Sequence, residues 1–583
     1  MSLYTDVSRV SRVALPTDVF IKGLLPSQAA FRVAWSAKDL GGTTHVSYSF
    51  PWADGVASMF TAPYGRGENT AAVTGAVNAD EAGQIAKAFG AWSNVANIAF
   101  DPVTETADGQ VGDIRVAFTS AVSPGYWGYS LGVSDGMANA HGDIWIDDSI
   151  IGQSFEAGTY NFTAMMHEIG HSLGLKHSFE TPKVPVGFDN QRYTIMSYTA
   201  PDKVWWQNPA TGANEYLIKS PMVYDILAIQ KLYGANMTFH TGDDVYAFSP
   251  TAPSFEAIWD AGGSDTFSVE GFSNGCTVDL HPGAYSSLAY DSVSLTKNIG
   301  IAFACTIENA QGGAGGDTLI GSEIANTLNG ADGADVMRGN GGDDSLNGGA
   351  GDDTLDGGLG NDTLSGGDNN DTLIGAAGND TLDGGAGSDT ASYATSTVAV
   401  KVSLAIAVAQ ATGSAGNDTL IGIENVIGGS GADVLTGNGD DNTLDGGAAA
   451  DKLDGGDGND TLIGGAGRDV LTGGVGGDTF KFAVLKDLSG ITANTADEIY
   501  DFSTAQSDHI DLSGIDAVKA SAAINDAFTW IGSAAFGKHA GELHYVISGT
   551  IGLVSGDIDG NGLADFAIRI DGAPALSAAD FVL

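Results

Sequence analysis

The sequence predicts an α/β domain followed by an all-β parallel β-roll laid down in two blocks. Three observations lead there. The 84 glycines of this 583-residue chain crowd beyond residue 310, whereas the first 300 residues mix Trp, Tyr and apolar runs as an ordinary globular domain does. Helical and strand-like periodicities alternate up to about residue 236. From Gly312 the chain repeats every nine residues. A chain of this length is also too long for one core. The expected division is a lead-in or short propeptide over 1–35, an α/β domain over 36–236, the roll over 237–485 with blocks at about 312–392 and 413–481, and a β-rich cap over 486–583.

Residues 1–35 are polar and weakly patterned, as a flexible or removable segment would be. In DEAGQIAKAFGAWSNVANIAF, Ile85, Phe89 and Trp92 recur at helical spacing behind an acidic first turn, so a helix feeds the strand-like IAF. GDIRVAF (112–118) and GDIWID (142–147) read as short strands between turn residues. NFTAMMHEIGHSLGL reads as a second helix, with Asn161 as N-cap and Phe162, Met165, Ile169 and Leu173 as its apolar stripe. Pro221 opens a third helix that Gly234 and Asn236 can stop, which sets the boundary near 236.

The second helix carries the chemistry. HEIGHSLGLKH (167–177) holds three of the chain's ten histidines. Residues four apart share a helix face, so His167 and His171 can present nitrogens to one ion. Glu168 lies one position round, near the metal but outside its coordination shell, where it can take a proton from water. The third ligand must come from beyond the helix, and Gly174 can adopt the left-handed backbone that brings His177 back. Three neutral imidazoles with an open fourth position describe a catalytic zinc rather than a structural one.

The repeat reads GGAGGDTLI, GSEIANTLN, GADGADVMR, GNGGDDSLN, GGAGDDTLD, GGLGNDTLS, GGDNNDTLI, GAAGNDTLD and GGAGSDTAS. After a β-like interruption, YATSTVAVKVSLAIAVAQ, it resumes at GSAGNDTLI and runs to GGVGGDTFK. The pattern GGxGxDxUx is that of calcium-binding RTX repeats. Gly-rich turns offer carbonyls and one carboxylate, a three-residue strand sends its Leu inward, and residues eighteen apart stack around an ion. The expected calcium ligands are Asp260, Asp265, Asp317, Asp335, Asp344, Asp353, Asp362, Asp371, Asp380, Asp389, Asp418, Asp433, Asp451, Asp460, Asp469 and Asp478, with Asn326, Asn442 and the AAAD around Asp451 marking weakened or empty sites. DAGGSDT followed by IENA is echoed by GGAGSDT followed by IENV, as if one module were laid down twice. DIDGNGLAD (557–565) echoes an EF-hand loop but has Ile568 at position twelve.

The formal net charge is −48, from 72 acidic and 24 basic residues, which excludes nucleic acid as the main partner and calls for cations. Without calcium, a column of like charges and a thin Leu/Met core would not offset chain entropy, so folding should require the ion. Cys276 and Cys305 read as buried thiols rather than a bridge. The first twenty residues lack the apolar core of a secretory signal, and no segment is long enough to span a bilayer.

The HExxHxxGxxH motif and the downstream TIMSY (194–198) resemble the metzincin zinc peptidases and their Met-turn. That resemblance implies a metzincin-like catalytic domain in which Met196 forms a hydrophobic floor beneath the metal. Tyr198 matches the tyrosine that serves serralysins as an additional, displaceable zinc ligand and would then hydrogen-bond the oxyanion. With the MVYDILAIQKLYGAN helix, the WDAGGSDT stretch and the repeats, the chain resembles the serralysin-type RTX metalloproteases from about residue 40 onward. The resemblance implies cleavage of extracellular proteins, one zinc, several calcium ions, a type I secretion apparatus that reads the DFVL end, a proteinaceous inhibitor as a further partner, and a secreted, monomeric, extracellular or cell-surface-associated protein. Two repeat blocks and two cysteines depart from the usual pattern. An extended substrate is expected to pair with an edge strand, with GDIWID as candidate. Two rival readings are an RTX lipase using Ser130 of GYSLG, whose flanks lack the strand and helix of a nucleophile elbow, and a surface or binding protein with an inactive protease-like domain.

Overall fold

The computed structural model describes residues 20–21, 24–25, 42–52, 74–105, 112–130, 142–488, 490–518 and 526–583, with only the backbone at Ser414. The chain divides into two compact units, Met1–Asn309 and Ala310–Leu583. The boundary expected near 236 therefore falls inside the first unit. There, residues beyond 236 fold back: the Phe255 amide donates to Leu217 O at 2.7 Å, and Lys219 N–H donates to Phe255 O at 3.0 Å.

In the first unit, β1 (Thr44–Ser49), β3 (Ile98–Pro102), β4 (Ile114–Thr119), β5 (Gly128–Ser130) and β6 (Ile144–Asp147) form a sheet in the order β3-β1-β4-β6-β5, with β2 (Thr74–Gly75) against β4. β5 runs antiparallel to β6, and the other pairs along that order are parallel. GDIWID thus becomes an interior strand, paired with β4 on one side and β5 on the other, so it has no free edge for a peptide. Among the described residues, β5 is the strand at that end of the sheet.

Helix α1 (Ala79–Val95) begins at a capping box, in which the Asn78 side chain accepts the Glu81 amide and Glu81 reaches back to Asn78 N–H. Its stripe Ile85, Phe89 and Trp92 is fully buried as expected. Trp92 Nε1 donates to Met166 O at 3.1 Å, which ties α1 to α2 (Tyr160–Ser172). The cap of α2 is Thr159, not Asn161, because the Thr159 hydroxyl accepts the Phe162 amide at 3.2 Å. Asn161 sits inside the first turn and accepts Trp127 Nε1 at 2.8 Å. A hairpin of β7 (Trp205–Gln207) and β8 (Asn214–Tyr216) precedes α3 (Val223–Tyr233), which ends at Gly234 with φ +88°. Cys276 and Cys305 are buried free thiols.

The second unit is a roll of parallel strands paired eighteen residues apart, such as Val336 with Thr354 and Thr354 with Thr372. On one face the sheet runs without a break from Thr318–Ile320 through Thr390–Ser392 and Asn425–Ile427 to His509–Asp511. On the other face one sheet ends near Asn417–Ile421, and a new one starts at Lys401–Ser403 inside the interruption. Leu319, Leu328, Met337, Leu346 and Leu355 point inward and are buried, as are Leu435, Leu444, Leu453, Leu462, Leu471 and Phe480. Antiparallel strands Glu542–Ser548, Ile551–Asp557 and Phe566–Asp571 follow, and Phe581–Val582 closes alongside Ile510–Asp511. No helix among the described residues is long and apolar enough to cross a membrane.

Candidate functional site

α2 presents His167 and His171 one turn apart, and Gly174, at φ +102°, turns the chain so that His177 returns to them. Each ring is anchored through Nδ1: His167 to Ile195 O at 2.7 Å, His171 to Leu175 O at 2.8 Å, His177 to Glu180 Oε1 at 2.7 Å. Anchoring Nδ1–H leaves every Nε2 as an acceptor. The three rings each offer a nitrogen within 4.8 Å of the others. His171 Nε2 and His177 Nε2 stand 3.1 Å apart, and His167 Nε2 is buried with no hydrogen-bond partner among the described residues. Tetrahedral zinc with bonds of about 2.0–2.1 Å spaces its ligands by about 3.3 Å, so the set fits that ion. Burial, and then the His177 ring, lowers the pKa of His171 to about 4, and burial holds His167 well below the usual range, so both rings are neutral at pH 7.

Met196 is fully buried beneath α2: a Cβ on Gly170 would lie 2.9 Å from its sulfur. Its turn is fastened by Asp225 of α3, which accepts Thr194 Oγ1 at 2.6 Å, Ile195 N–H at 2.8 Å and Met222 N–H at 2.9 Å. Burial pushes the Asp225 carboxyl up to about 7 against those three donors. Tyr198 Oη lies 2.7 Å from His177 Nε2, and burial, then Glu168, pushes its pKa to about 12, so it remains a hydroxyl.

Glu168 is buried, with Oε2 unpartnered, and burial raises it to about 8 against the Ser130 backbone N–H. It lines a cavity of about 390 Å³ with His167, Tyr126, Trp127, Tyr160, Thr163 and Tyr198. Ser130 lies in β5, where its hydroxyl shares a hydrogen bond with Ser172 Oγ at 2.9 Å. Leu131 and Gly132 of GYSLG fall outside the described residues.

In the roll, most repeat aspartates accept the backbone N–H of the residue eighteen positions earlier. Asp335, Asp353, Asp371 and Asp389 take Asp317, Asp335, Asp353 and Asp371 through Oδ1 at 2.6–2.8 Å. Asp344 and Asp362 take Asn326 and Asp344 in the same way, Asp451 and Asp469 take Asp433 and Asp451, and Asp460 and Asp478 take Asn442 and Asp460. Asp380 takes Asp362. The second oxygen of Asp335, Asp344, Asp353, Asp362, Asp371, Asp380, Asp389, Asp451, Asp460, Asp469 and Asp478 is buried without a partner, as is that of Asp265. The facing glycines show why: a Cβ on Gly348 would lie 2.3 Å from Asp353 Oδ2 and 2.6 Å from Gly366 O, so carboxylate and carbonyl converge over bare backbone. Such oxygen sets suit a hard cation. Burial, then neighbouring aspartates, pushes Asp353 up to about 7, and burial likewise raises Asp371 to about 6.

Not every expected ligand lies in that arrangement. Asp418 Oδ2 accepts Thr412 Oγ1 at 2.7 Å and Tyr393 Oη at 3.1 Å. Asp317 and Asp433 take Gly313 and Gly429 N–H, and Asn326 and Asn442 take Ser322 and Asn438 N–H. Asp451, expected to be degenerate, shares its neighbours' geometry. Asp260 accepts Tyr246 Oη at 2.6 Å and sits with His240 and Asp244. Asp557, Asp559 and Asp565 gather as the EF-hand echo implies, but both oxygens of Asp557 are taken by Gly560 and Gly562 N–H.

Sequence reading missed the supports Asp225, Glu180 and the Leu175 and Ile195 carbonyls, and the column ends Glu308 and Glu424. The repeated IEN offered a signal. Asp265 and Asp389 each donate N–H at 2.8 Å to Glu308 and Glu424, and Asn309 and Asn425 bond back to the carbonyls of the same aspartates.

The family model described as "Peptidase M10 serralysin C terminal" matches residues 230–404 and again 383–583. The chain belongs to the M10 serralysin family. The double match falls on the two modules. A second family model, "Matrixin", matches residues 69–186 of this serralysin-family chain, across the histidine helix. Serralysin of Proteus mirabilis is 32% identical over 335 residues, 50% of this chain and 62% of that protein. Metalloprotease AprA of Pseudomonas entomophila is 32% identical over 329 residues, with the same coverage. Serralysin A of Dickeya chrysanthemi is 35% identical over 262 residues, 42% of this chain and 53% of that one. The chain thus spans under two thirds of the curated relatives it matches.

Proposed function

We propose that the chain is a secreted zinc endopeptidase whose roll folds around calcium. The observation that carries this is the convergence of three Nδ1-anchored histidines beside a buried Glu168, which lines a cavity and whose Oε2 has no partner among the described residues. His167, His171 and His177 would hold the zinc, with Tyr198 as a displaceable fourth ligand. When bound, zinc would polarise a substrate carbonyl and acidify a water. Glu168 Oε2, buried and without a competing donor among the described residues, takes the proton of the attacking water and returns it to the leaving nitrogen. The Tyr198 hydroxyl, kept protonated, donates to the oxygen that gains negative charge on the substrate. The peptide adds alongside β5, which places a side chain in the cavity. Protein substrates, type I export, an extracellular location and calcium at the aspartates whose second oxygen lacks a partner complete the reading.

Glu168→Gln tests it. The variant should keep one zinc per chain and lose about 10²–10⁴-fold in peptide hydrolysis. Full activity in that variant, or wild-type cleavage that survives zinc removal, would refute the protease reading.

A further inference from the structure

The described residues of the lead-in, Phe20, Ile21, Leu24 and Leu25, make contact with the folded unit. Phe20 is 2% exposed, stacked on Tyr224 at 4.0 Å between centroids and edge-on to Phe188 at 4.9 Å. Leu24 and Leu25 are buried, and Leu25 N–H donates to Ile21 O at 2.9 Å. Both contacts lead to the histidines. Lys176 N–H donates to Leu24 O at 3.0 Å. The other end of that same peptide unit is Leu175 O, the acceptor for His171 Nδ1 at 2.8 Å. A peptide group is planar, so fixing its N–H fixes the direction of its carbonyl. Lys176 also immediately precedes His177. Tyr224 precedes Asp225, the residue that fastens Ile195 and through it His167.

We propose that Phe20, Leu24 and Leu25 form a positioning clasp for the zinc ligands, which Leu24 O exerts on the Leu175–Lys176 peptide and Phe20 on the Tyr224–Asp225 turn. Any maturation cut then falls on the N-terminal side of Phe20, and the removable part of the lead-in stops there. The inference rests on the zinc reading only in its consequence for metal retention. The clasp itself is a packing relationship.

Phe20→Ala in the full chain separates the two. Hydrogen exchange at the Lys176 amide should rise at least tenfold while that at Leu382 is unchanged. Zinc should pass to a chromogenic chelator at least tenfold faster than from wild type. If Phe20→Ala does not accumulate as folded protein, the milder Phe20→Leu serves the same comparison. N-terminal sequencing of secreted, zinc-loaded chain should find a start at or before Phe20. Exchange and zinc release equal to wild type, or a zinc-loaded chain that begins after Leu25, would overturn the clasp. A chain that never binds zinc would defeat the protease reading, and the exchange at Lys176 would still decide the clasp.

Discussion

The carboxylate of Asp225 accepts the N–H of Ile195 at 2.8 Å, and the carbonyl of Ile195 accepts the ring of His167 at 2.7 Å. A residue nearly sixty positions from the histidine thereby fixes which nitrogen faces the metal. In Asp225→Asn one oxygen must serve where two now take three donors. Because such outer supports set ligand orientation, zinc affinity should fall about 10–100-fold, read by competition with a chelator. Unchanged affinity would show that the Met-turn holds without it.

Tyr198→Phe removes a hydroxyl that donates to His177 Nε2 at the cavity and leaves the three imidazoles in place. Loss of such a donor typically lowers kcat about 10²–10³-fold. KM and zinc content should stay near wild type, measured on a peptide substrate and by metal analysis. A rise in KM at unchanged kcat would make Tyr198 a substrate contact only.

The two carboxylates Asp371 and Asp418 should respond differently to the same change. Asp371→Asn places an amide where the unpartnered Oδ2 now lies, and an amide nitrogen cannot ligate a cation. The calcium concentration at half-folding should rise severalfold. Asp418→Asn alters an oxygen already satisfied by Thr412 and Tyr393, whose hydroxyls can turn to accept. That midpoint should move less than twofold in a calcium titration followed by circular dichroism.

Acid should partly replace calcium. Asp344, Asp353, Asp380 and Asp469 are raised to about 7 and Asp371 to about 6, first by burial. In an unfolded chain the same groups titrate near pH 4. Between those values the folded roll binds more protons, so its stability is greatest below about pH 4 and declines as pH rises towards 7. Calcium-depleted protein should therefore keep more β-structure at pH 5 than at pH 8, with the gap closed by added calcium. The opposite order would show that the aspartates stay ionised without metal.

The sequence made the periodic and the local legible. Eighteen-residue pairing, inward leucines, the i, i+4 histidines and the turn at Gly174 follow from spacing alone. Relationships that cross the chain did not. Asp225 reads only as an acidic first-turn residue of α3, and nothing local in Leu24 foretells a bond to Lys176. GDIWID has strand composition, but its interior place depends on β5, whose three residues carry no strand signature. Asp418 looks like its fellows in the repeat, and only Tyr393 and Thr412 from the interruption set it apart.

The ladder in which Asp335 accepts Asp317, Asp353 accepts Asp335 and Asp371 accepts Asp353 also dictates how this tail can change length. Excising eighteen residues would slide identical rungs together and leave every seam intact. Excising nine would send each downstream leucine to the opposite wall and orphan one whole column. Within each ladder, length can change by pairs of units without breaking the columns.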